Sequence, residues 1–353
     1  MSNGILALLA FSPILLAAVL LIGLRWPAKH AMPLVYLVTA AVGLFAWDMT
    51  FNRVLASTLQ GLLITLGLLW IIFGAILLLN TLKHSGGITA IRAGFATISP
   101  DRRIQAIIIA WLFGCFIEGA SGFGTPAAIA APLLVAIGFP AMAAVLMGML
   151  VQSTPVSFGA VGTPIIVGLN TGLDTATIGA QLVEQGSSWA QFLQLITSEV
   201  AIIHATVGVI MPTIMAMMLT RFFGQEKSWK AGLEVLPFAI FAGLAFVVPY
   251  VFTGVFLGPE FPSLLGGLIG LAIVTSAARF GFLVPKKTWD FAPTDKWPSE
   301  WLGTVEMKLD ELTAKPMSAL RAWLPYVLVL SLIHISEPTR RTPISYAVFC
   351  LKK

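Results

Sequence analysis

The chain has 353 residues, of which 58% are hydrophobic and only 10% are charged, with a formal net charge of +5. Soluble proteins carry about 25% charged residues, so this chain has too few charges to cover a soluble surface of its size. The composition excludes an ordinary cytosolic enzyme, a nucleic-acid-binding protein and a disordered tail. The long uncharged runs instead predict an all-α fold, a polytopic transmembrane helical bundle in a lipid bilayer.

The last stretch, 331–353, does not continue the pattern that precedes it. A hydrophobic run opens at Trp323 and stops there. Reverse translation of SLIHISEPTR (331–340) and of ISYAVFCLKK (344–353) is compatible with the two ends of a transposase sequencing adapter. We therefore interpret 331–353 as a library artefact outside the fold. Removing its four Lys/Arg and one Glu lowers the net charge from +5 to +2, and leaves 1–330 as the N-terminal part of a longer, truncated membrane domain.

Three apolar runs open the chain, and they cover 4–24, 32–47 and 55–79. The first is long enough to cross a hydrocarbon core of about 30 Å. It lacks the basic start and the cleavage site of a removed signal peptide. The loops at 25–31 and 80–103 are rich in Lys and Arg, and basic loops stay in the cytoplasm. The N-terminus is therefore predicted to lie outside the cell.

The later apolar runs fit the same orientation, and they cover 200–219, 236–256 and 264–283. The loop at 170–199 contains acidic residues but no Lys or Arg, which suits the outside. A polar stretch at about 285–320 carries both signs of charge and is predicted to be a solvated cytoplasmic loop. By parity, 104–169 must make an odd number of crossings, either one or three.

Glycine and proline interrupt the apolar region 104–170, which contains GCFIEGASGFGTPAAIAAP (114–132) and QSTPVSFGAVGTPIIVG (152–168). Both residue types break helices. Backbone that leaves the helix at membrane depth must line a cavity or be buried in protein. Discontinuous or re-entrant helices are therefore predicted here, and such helices indicate the substrate region of a transporter.

The two interrupted segments resemble each other, because both contain Gly-Thr-Pro, at 124–126 and at 162–164. In each, Thr is predicted to be the N-cap and Pro the first helical residue. Two half-helices are expected to begin there, with free N–H groups that suit an anion. Ser153-Thr154-Pro155 is a candidate for a third such terminus.

Glu118 lies inside this region, with no Lys or Arg nearby in the sequence. A charge at the bilayer centre costs about 2.5–3.5 kcal/mol on the insertion scale, and intramembrane acids are functional by default. Burial favours the neutral form of a carboxyl group, as a proton carrier requires. The alternative is a structural glutamate that caps a backbone break. His204, in a later apolar run, is a second candidate for proton coupling or else a satisfied structural histidine.

Polar side chains and glycines of the interrupted segments are candidates for substrate contacts, although such polar residues taken singly more often pack helices. These candidates are Ser121, Gly122, Gly124, Thr125, Gln152, Ser153, Thr154, Gly162 and Thr163. No zinc, nucleotide or dinucleotide motif is present, so no metal and no cofactor is expected.

The segments FGCFIEGASGFGTPAAIAAPLL (113–134) and STPVSFGAVGTPI (153–165) resemble the L-lactate permease family, which includes glycolate permeases. GPEFPSLLGGL (258–268) and ISPDRRIQ (98–105) are similar to that family too. The resemblance implies an inverted-repeat carrier of the bacterial inner membrane that imports L-lactate and glycolate with protons. Because the family is considerably longer than this chain, it also implies a fragment. It indicates no oligomeric state.

The residues suggest how such a carrier would work. The carboxylate of lactate is expected against the half-helix N-termini at Thr125 and Thr163, and the coupled proton on Glu118. The 2-hydroxyl group is expected near the polar side chains of Ser121, Gln152 or Ser153.

Three alternatives differ in class from a monocarboxylate carrier. Gly119-Ala120-Ser121-Gly122 matches the GxSG motif of rhomboid-type intramembrane proteases, with His204 as the base. A four-residue match in a glycine-rich region is weak, so we predict that the chain is not an enzyme. A channel would conduct without accumulation. A dicarboxylate carrier should need positive charge in 104–170, which contains none.

Overall fold

The computed structural model describes residues 3–87, 90, 98–122, 124–173 and 175–302, together with 318, 321, 322, 324 and 328. Most of the run that opens at Trp323 and the whole tail 331–353 lie outside these residues. The described residues form helices and no β-strand, which confirms the all-α prediction. Among the described residues, six helices are long and apolar enough to cross a membrane, or up to seven if a bent pair counts as one span. Two compact units divide the chain at residues 71/72.

The first unit, which ends at residue 71, contains the first two helices and the beginning of the third, and these helices follow the predicted apolar runs. Helix α1 (Asn3–Ala18) continues through a π-helical turn (Val19–Gly23), and α2 (Ala28–Ala46) and α3 (Phe51–His84) follow. Pro27 precedes α2 with φ −64°, and its fixed φ and missing N–H suit a helix start. The first predicted run agrees with α1 and its extension, whereas α3 is longer than the run 55–79 because its polar ends are helical too.

The second unit is built around α4 (Arg102–Ser121), which is almost entirely buried and has a π-helical middle (Ile107–Phe113). Asp101 caps α4, because its carboxylate accepts the amide N–H of Arg103 at 2.9 Å. The helix therefore starts inside the stretch predicted as a loop, 80–103.

Small residues hold α4 against α13 (Pro262–Arg279). A Cβ atom on Gly119 would lie 2.6 Å from the backbone nitrogen of Leu264, and one on Gly267 would lie 2.6 Å from that of Phe116. Because glycine lacks this atom, the two backbones can approach closely. The pairing of early with late positions shows that the two helices run antiparallel.

Three helices follow in the same unit: α5 (Thr125–Ala136), α6 (Ala141–Leu150) and α7 (Gly159–Gly172). The guanidinium of Arg102 donates to the carbonyl of Ile137 at 2.6 Å, so the end of α5 returns to the start of α4. Gly148 lies against Ala127, so α6 runs back beside α5. The chain bends by 71° between α6 and α7. Of the helices in this region, α4 is long enough to span a membrane, α6 and α7 are long enough only together, and α5 has 12 residues. The number of crossings made by 104–169 stays a prediction.

The remaining helices are α8 (Thr175–Glu184), α9 (Trp189–Gly208), α10 (Met211–Phe223), α11 (Trp229–Leu233), α12 (Leu236–Phe256), α13 and the short α14 (Ser299–Leu302). Helix α12 confirms the predicted run 236–256. The prediction of a loop up to residue 199 is wrong, because α9 already begins at Trp189. Ser188 and Gln191 form a capping box there, and this local signal starts the helix before the strongly apolar stretch begins.

A buried cluster of charges ties the chain together at the Arg102 end of α4. Arg103 donates to the carboxylate of Asp101 at 2.7 Å and to that of Glu234 at 3.1 Å, and the Asp101 and Arg103 side chains are 0% exposed. Arg103 also donates to the carbonyl of Lys287 at 3.1 Å, and Asp101 accepts the amide N–H of Trp289 at 3.1 Å. The loop predicted to be solvated, 285–320, is therefore fixed to the helices at its beginning.

We predict that Asp101→Asn destabilises the protein strongly. Removing one partner of a buried ion pair leaves the other charge uncompensated, which costs about 3 kcal/mol. Asp290→Asn is the matched control, since Asp290 pairs with Arg102 at 2.9 Å but its side chain is 62% exposed and such pairs contribute about 0–1 kcal/mol. Thermal unfolding in detergent measures both. Equal stability of the two variants would contradict this role of Asp101.

Candidate functional site

The first backbone break separates α4 from α5. Gly122 has φ +63° and Gly124 has φ +77°, a region that glycine enters without steric cost. Helix α5 begins at Thr125, whose hydroxyl donates to the carbonyl of Gly122 at 2.5 Å. The predicted N-cap role of Thr125 is therefore wrong: Gly124 is the N-cap, and the threonine hydroxyl instead satisfies a carbonyl that the break releases.

The second break lies inside α7 and repeats the geometry of the first. Ala160, Val161 and Gly162 have φ values of +44°, +57° and +76°. The hydroxyl of Thr163 donates to the carbonyl of Ala160 at 2.6 Å, three residues back as at the first break. Left-handed backbone at a β-branched residue such as Val161 is strained, and such strain clusters at functional sites.

The two breaks lie against each other. A Cβ atom on Gly122 would lie 2.7 Å from the Cβ atom of Ala160, so the two unwound backbones touch. The second break also contacts the loop before α13, where Gly162 packs against the backbone of Pro259 and Glu260. The segments that carried the family resemblance, 113–134, 153–165 and 258–268, therefore meet in one place.

Glu118 lies one turn before the first break, with 1% of the residue exposed. The backbone amide of Gly124 faces its carboxyl group. A Cβ atom on Gly159 would lie 2.8 Å from Oε1, so the absence of a side chain there leaves room for the carboxyl. Among the residues that the structure describes, none hydrogen-bonds Oε2, which is buried. Glu118 thus reaches the start of α5, the position predicted for the substrate anion.

The other candidate residues surround this carboxyl group unequally. The Gln152 amide nitrogen lies 3.6 Å from the position that a Cβ of Gly124 would take, which places Gln152 beside the first break. Ser121 is buried at the end of α4, and the exposed Ser153 has its hydroxyl 3.5 Å from that of buried Thr154. The third half-helix predicted at 153–155 is wrong, because only a 3₁₀ turn (Val156–Phe158) follows Pro155.

His204 binds the unwound stretch between α6 and α7. Its Nδ1 lies 2.6 Å from the carbonyl oxygen of Thr154, which also accepts from the hydroxyl of Tyr250 at 3.1 Å. Because a carbonyl only accepts, Nδ1 carries the hydrogen, and Nε2 lies 3.4 Å from the hydroxyl of Ser157. Both ring nitrogens of His204 therefore have partners other than Ser121, contrary to a protease dyad.

A family model described as L-lactate permease matches residues 6–349. The chain belongs to the L-lactate permease family. The L-lactate permease of Escherichia coli (strain K12) is 30% identical over 329 residues, which cover 93% of this chain and 54% of that protein. The glycolate permease GlcA of the same strain is 32% identical over 287 residues, 81% of this chain and 46% of that protein.

The L-lactate permease of Bacillus subtilis (strain 168) is 28% identical over 297 residues, 83% of this chain and 48% of that protein. The chain spans about half the length of the curated relatives that it matches. No solved structure matches it.

Family membership and the apolar helices together make the chain a multi-pass membrane protein. Its family is one of permeases, so transport is favoured over the intramembrane-protease alternative. The inverted repeat stays a prediction. So does the adapter origin of 331–353, most of which lies within the range that the family model matches.

We predict that Gly159→Ala abolishes transport by the full-length gene product while leaving it in the membrane. Gly159 has φ −66° and ψ 158°, which alanine adopts freely, but the added Cβ would push against Oε1 of Glu118. Gly168→Ala is the matched control in the same helix, where a Cβ meets no atom within 4 Å. Uptake of labelled L-lactate, normalised to protein in the membrane, compares them. Unchanged uptake by the Gly159 variant would show that the Glu118 carboxyl need not keep this position.

Proposed function

We propose that the chain is the N-terminal part of a secondary active transporter that imports L-lactate and related 2-hydroxymonocarboxylates, such as glycolate, by proton symport. Its membrane is the bacterial inner membrane, with the N-terminus outside. The observation that carries the proposal is the meeting of two Gly-Thr-Pro breaks beside the buried Glu118, in a chain of the L-lactate permease family.

At the first break the donor proposed for the carboxylate is the amide of Gly124, because the amides of Thr125 and Ala127 donate to the carbonyls of Gly122 and Gly124 at 3.0 and 3.1 Å and Pro126 has no N–H. Helix N-termini expose backbone N–H groups and partial positive charge, and hydrogen bonds to an anion are roughly twice as strong as neutral ones. Region 104–170 contains no Lys or Arg, so nothing there balances a second negative charge. A monocarboxylate therefore fits better than a dicarboxylate, with its carboxylate near Thr125 and Thr163 and its 2-hydroxyl group near Ser121, Gln152 or Ser153.

Glu118 is the proposed carrier of the coupled proton. It is the acidic side chain at the meeting point of the breaks, it is buried, and its Oε2 has no hydrogen-bond partner among the described residues. An ionised carboxylate in this position lacks a compensating charge. The protonated form is therefore favoured while the site is closed to water, and the ionised form is favoured when the carboxyl group contacts water.

His204 is proposed to support the site through the unwound backbone. It donates to the carbonyl of Thr154, and Ser263 donates to the carbonyl of Pro155 at 2.7 Å. Released carbonyls need such partners inside a membrane. The rival role, in which His204 passes protons to or from Glu118, makes a different prediction for a substitution that keeps the donor.

We expect the complete gene product to accumulate labelled L-lactate in right-side-out membrane vesicles, and a proton ionophore to collapse the accumulation. Glycolate should compete, because it differs only in lacking the methyl group. Uptake that merely equilibrates would identify a channel or uniporter. A well-inserted protein that takes up neither lactate nor glycolate would overturn the proposed function.

We expect His204→Asn to transport almost normally and His204→Ala to lose most activity. The amide nitrogen of Asn occupies roughly the place of Nδ1 and can still donate to Thr154, whereas Ala removes a hydrogen bond worth about 1 kcal/mol. Initial uptake rates over a range of lactate concentrations separate kcat from KM. If His204→Asn instead retains lactate exchange but loses proton-driven accumulation, His204 is a proton relay.

A further inference from the structure

The Glu118 carboxyl group occupies the place where the proposed function puts the carboxylate of the substrate. It faces the amide of Gly124, the N-cap of α5, and this break meets the second one at Gly122 and Ala160. Two ionised carboxylates in one buried site repel each other strongly, so both cannot be charged there together.

No cation on the surrounding elements relieves that repulsion in the part of the chain that the structure describes. The Lys and Arg residues of α4 and α13 lie at the ends of these helices that are far from the breaks. They are Arg102, Arg103 and Arg279. Cys115 is the titratable neighbour on α4, and the α13 side brings Glu260, whose backbone packs on Gly162.

The segments between α6 and α7 bring neutral groups, Gln152 and Ser157. Beyond them, His204 from α9 and Tyr250 from α12 bind the carbonyl of Thr154. Relief of the repulsion must therefore come from a proton on Glu118 itself.

We propose, building on the function proposed above, that Glu118 competes with the substrate carboxylate for the backbone amide of Gly124. Ionised Glu118 holds the Gly124 amide and keeps anions out. When hydronium on the outer side gives one proton to the carboxylate, an O–H bond forms, a water molecule is left behind, and the neutral acid releases the amide to the substrate.

The unpartnered Oε2 has a role in this exchange. In the neutral acid one oxygen carries the proton, and a protonated carboxyl donates well to a carboxylate, in a short charge-assisted hydrogen bond. The buried Oε2, free of protein partners among the described residues, is available for that bond. After substrate leaves on the inner side, the proton passes to water there and Glu118 returns to the amide. One proton and one monocarboxylate move per cycle, so no net charge crosses.

The first test needs no variant. Purified full-length gene product is mixed with L-lactate in weakly buffered detergent solution that contains a pH-sensitive dye. At a pH at which Glu118 is ionised in the free protein, we expect one proton to be taken up per lactate bound and the apparent Kd to rise tenfold per pH unit. Lactate binding without proton uptake would overturn the competition while leaving a lactate carrier intact. The absence of lactate and glycolate binding and transport would instead overturn the proposed function.

The second test uses Glu118→Gln, whose neutral amide imitates the protonated acid. In proteoliposomes we expect this variant to exchange labelled for unlabelled lactate at all pH values, with a pH-independent Kd, and to lose accumulation driven by a pH gradient. Glu199→Gln, at an exposed acid of α9, is the matched control and should keep the normal pH dependence. The mechanism would be contradicted if the Glu118 variant still accumulated lactate in response to a pH gradient. It would also be contradicted if lactate uptake by the unsubstituted protein changed with a clamped membrane potential.

Discussion

The need to satisfy backbone carbonyls that have left a helix inside an apolar protein organises this structure. Each break releases such groups, and a buried carbonyl without a donor is costly. At Gly122 and Ala160 a threonine three residues later supplies the donor. Between α6 and α7, His204, Tyr250 and Ser263 bind the carbonyls of Thr154 and Pro155. These long-range bonds fix α9, α12 and α13 around the breaks, so the site and the packing of the helices depend on each other.

Glycine does two separate jobs in this arrangement. At Gly122, Gly124 and Gly162 it permits left-handed backbone, and at Gly119 and Gly267 it lets α4 and α13 approach until their backbones nearly touch. Close approach matters because in a membrane helix association depends on packing rather than on the hydrophobic effect. Gly159 adds a third use, since its missing side chain leaves space for the carboxyl of Glu118. A glycine-rich stretch therefore permits turns, close helix contacts and room for a buried carboxyl group at different positions.

The sequence predicted the apolar runs and the two broken segments well, because both depend on local composition. The sequence did not predict contacts that depend on residues far away along the chain. Nothing near Trp289 indicates that its amide binds Asp101, and nothing near Gly159 indicates that Glu118 lies beside it. A threonine hydroxyl can both donate and accept a hydrogen bond, so the sequence does not show whether Thr125 and Thr163 accept an N–H as N-caps or donate to a carbonyl. The backbone geometry decides between these roles. The prediction for the start of α9 failed for a different reason. The capping box at Ser188 and Gln191 can be recognised in the sequence, but the prediction followed the average hydropathy of the segment instead.

The charges of the second unit are distributed unevenly along α4. At its beginning, Asp101, Arg103 and Glu234 form a paired cluster that holds the ends of several elements. At its end stands Glu118, with an amide and no cation. In the first arrangement the charges compensate one another, whereas the interactions of the second depend on one proton. Under the proposed function this difference assigns the two ends different tasks: the paired cluster anchors α4, and the unpaired carboxyl makes the occupancy of the site depend on protonation.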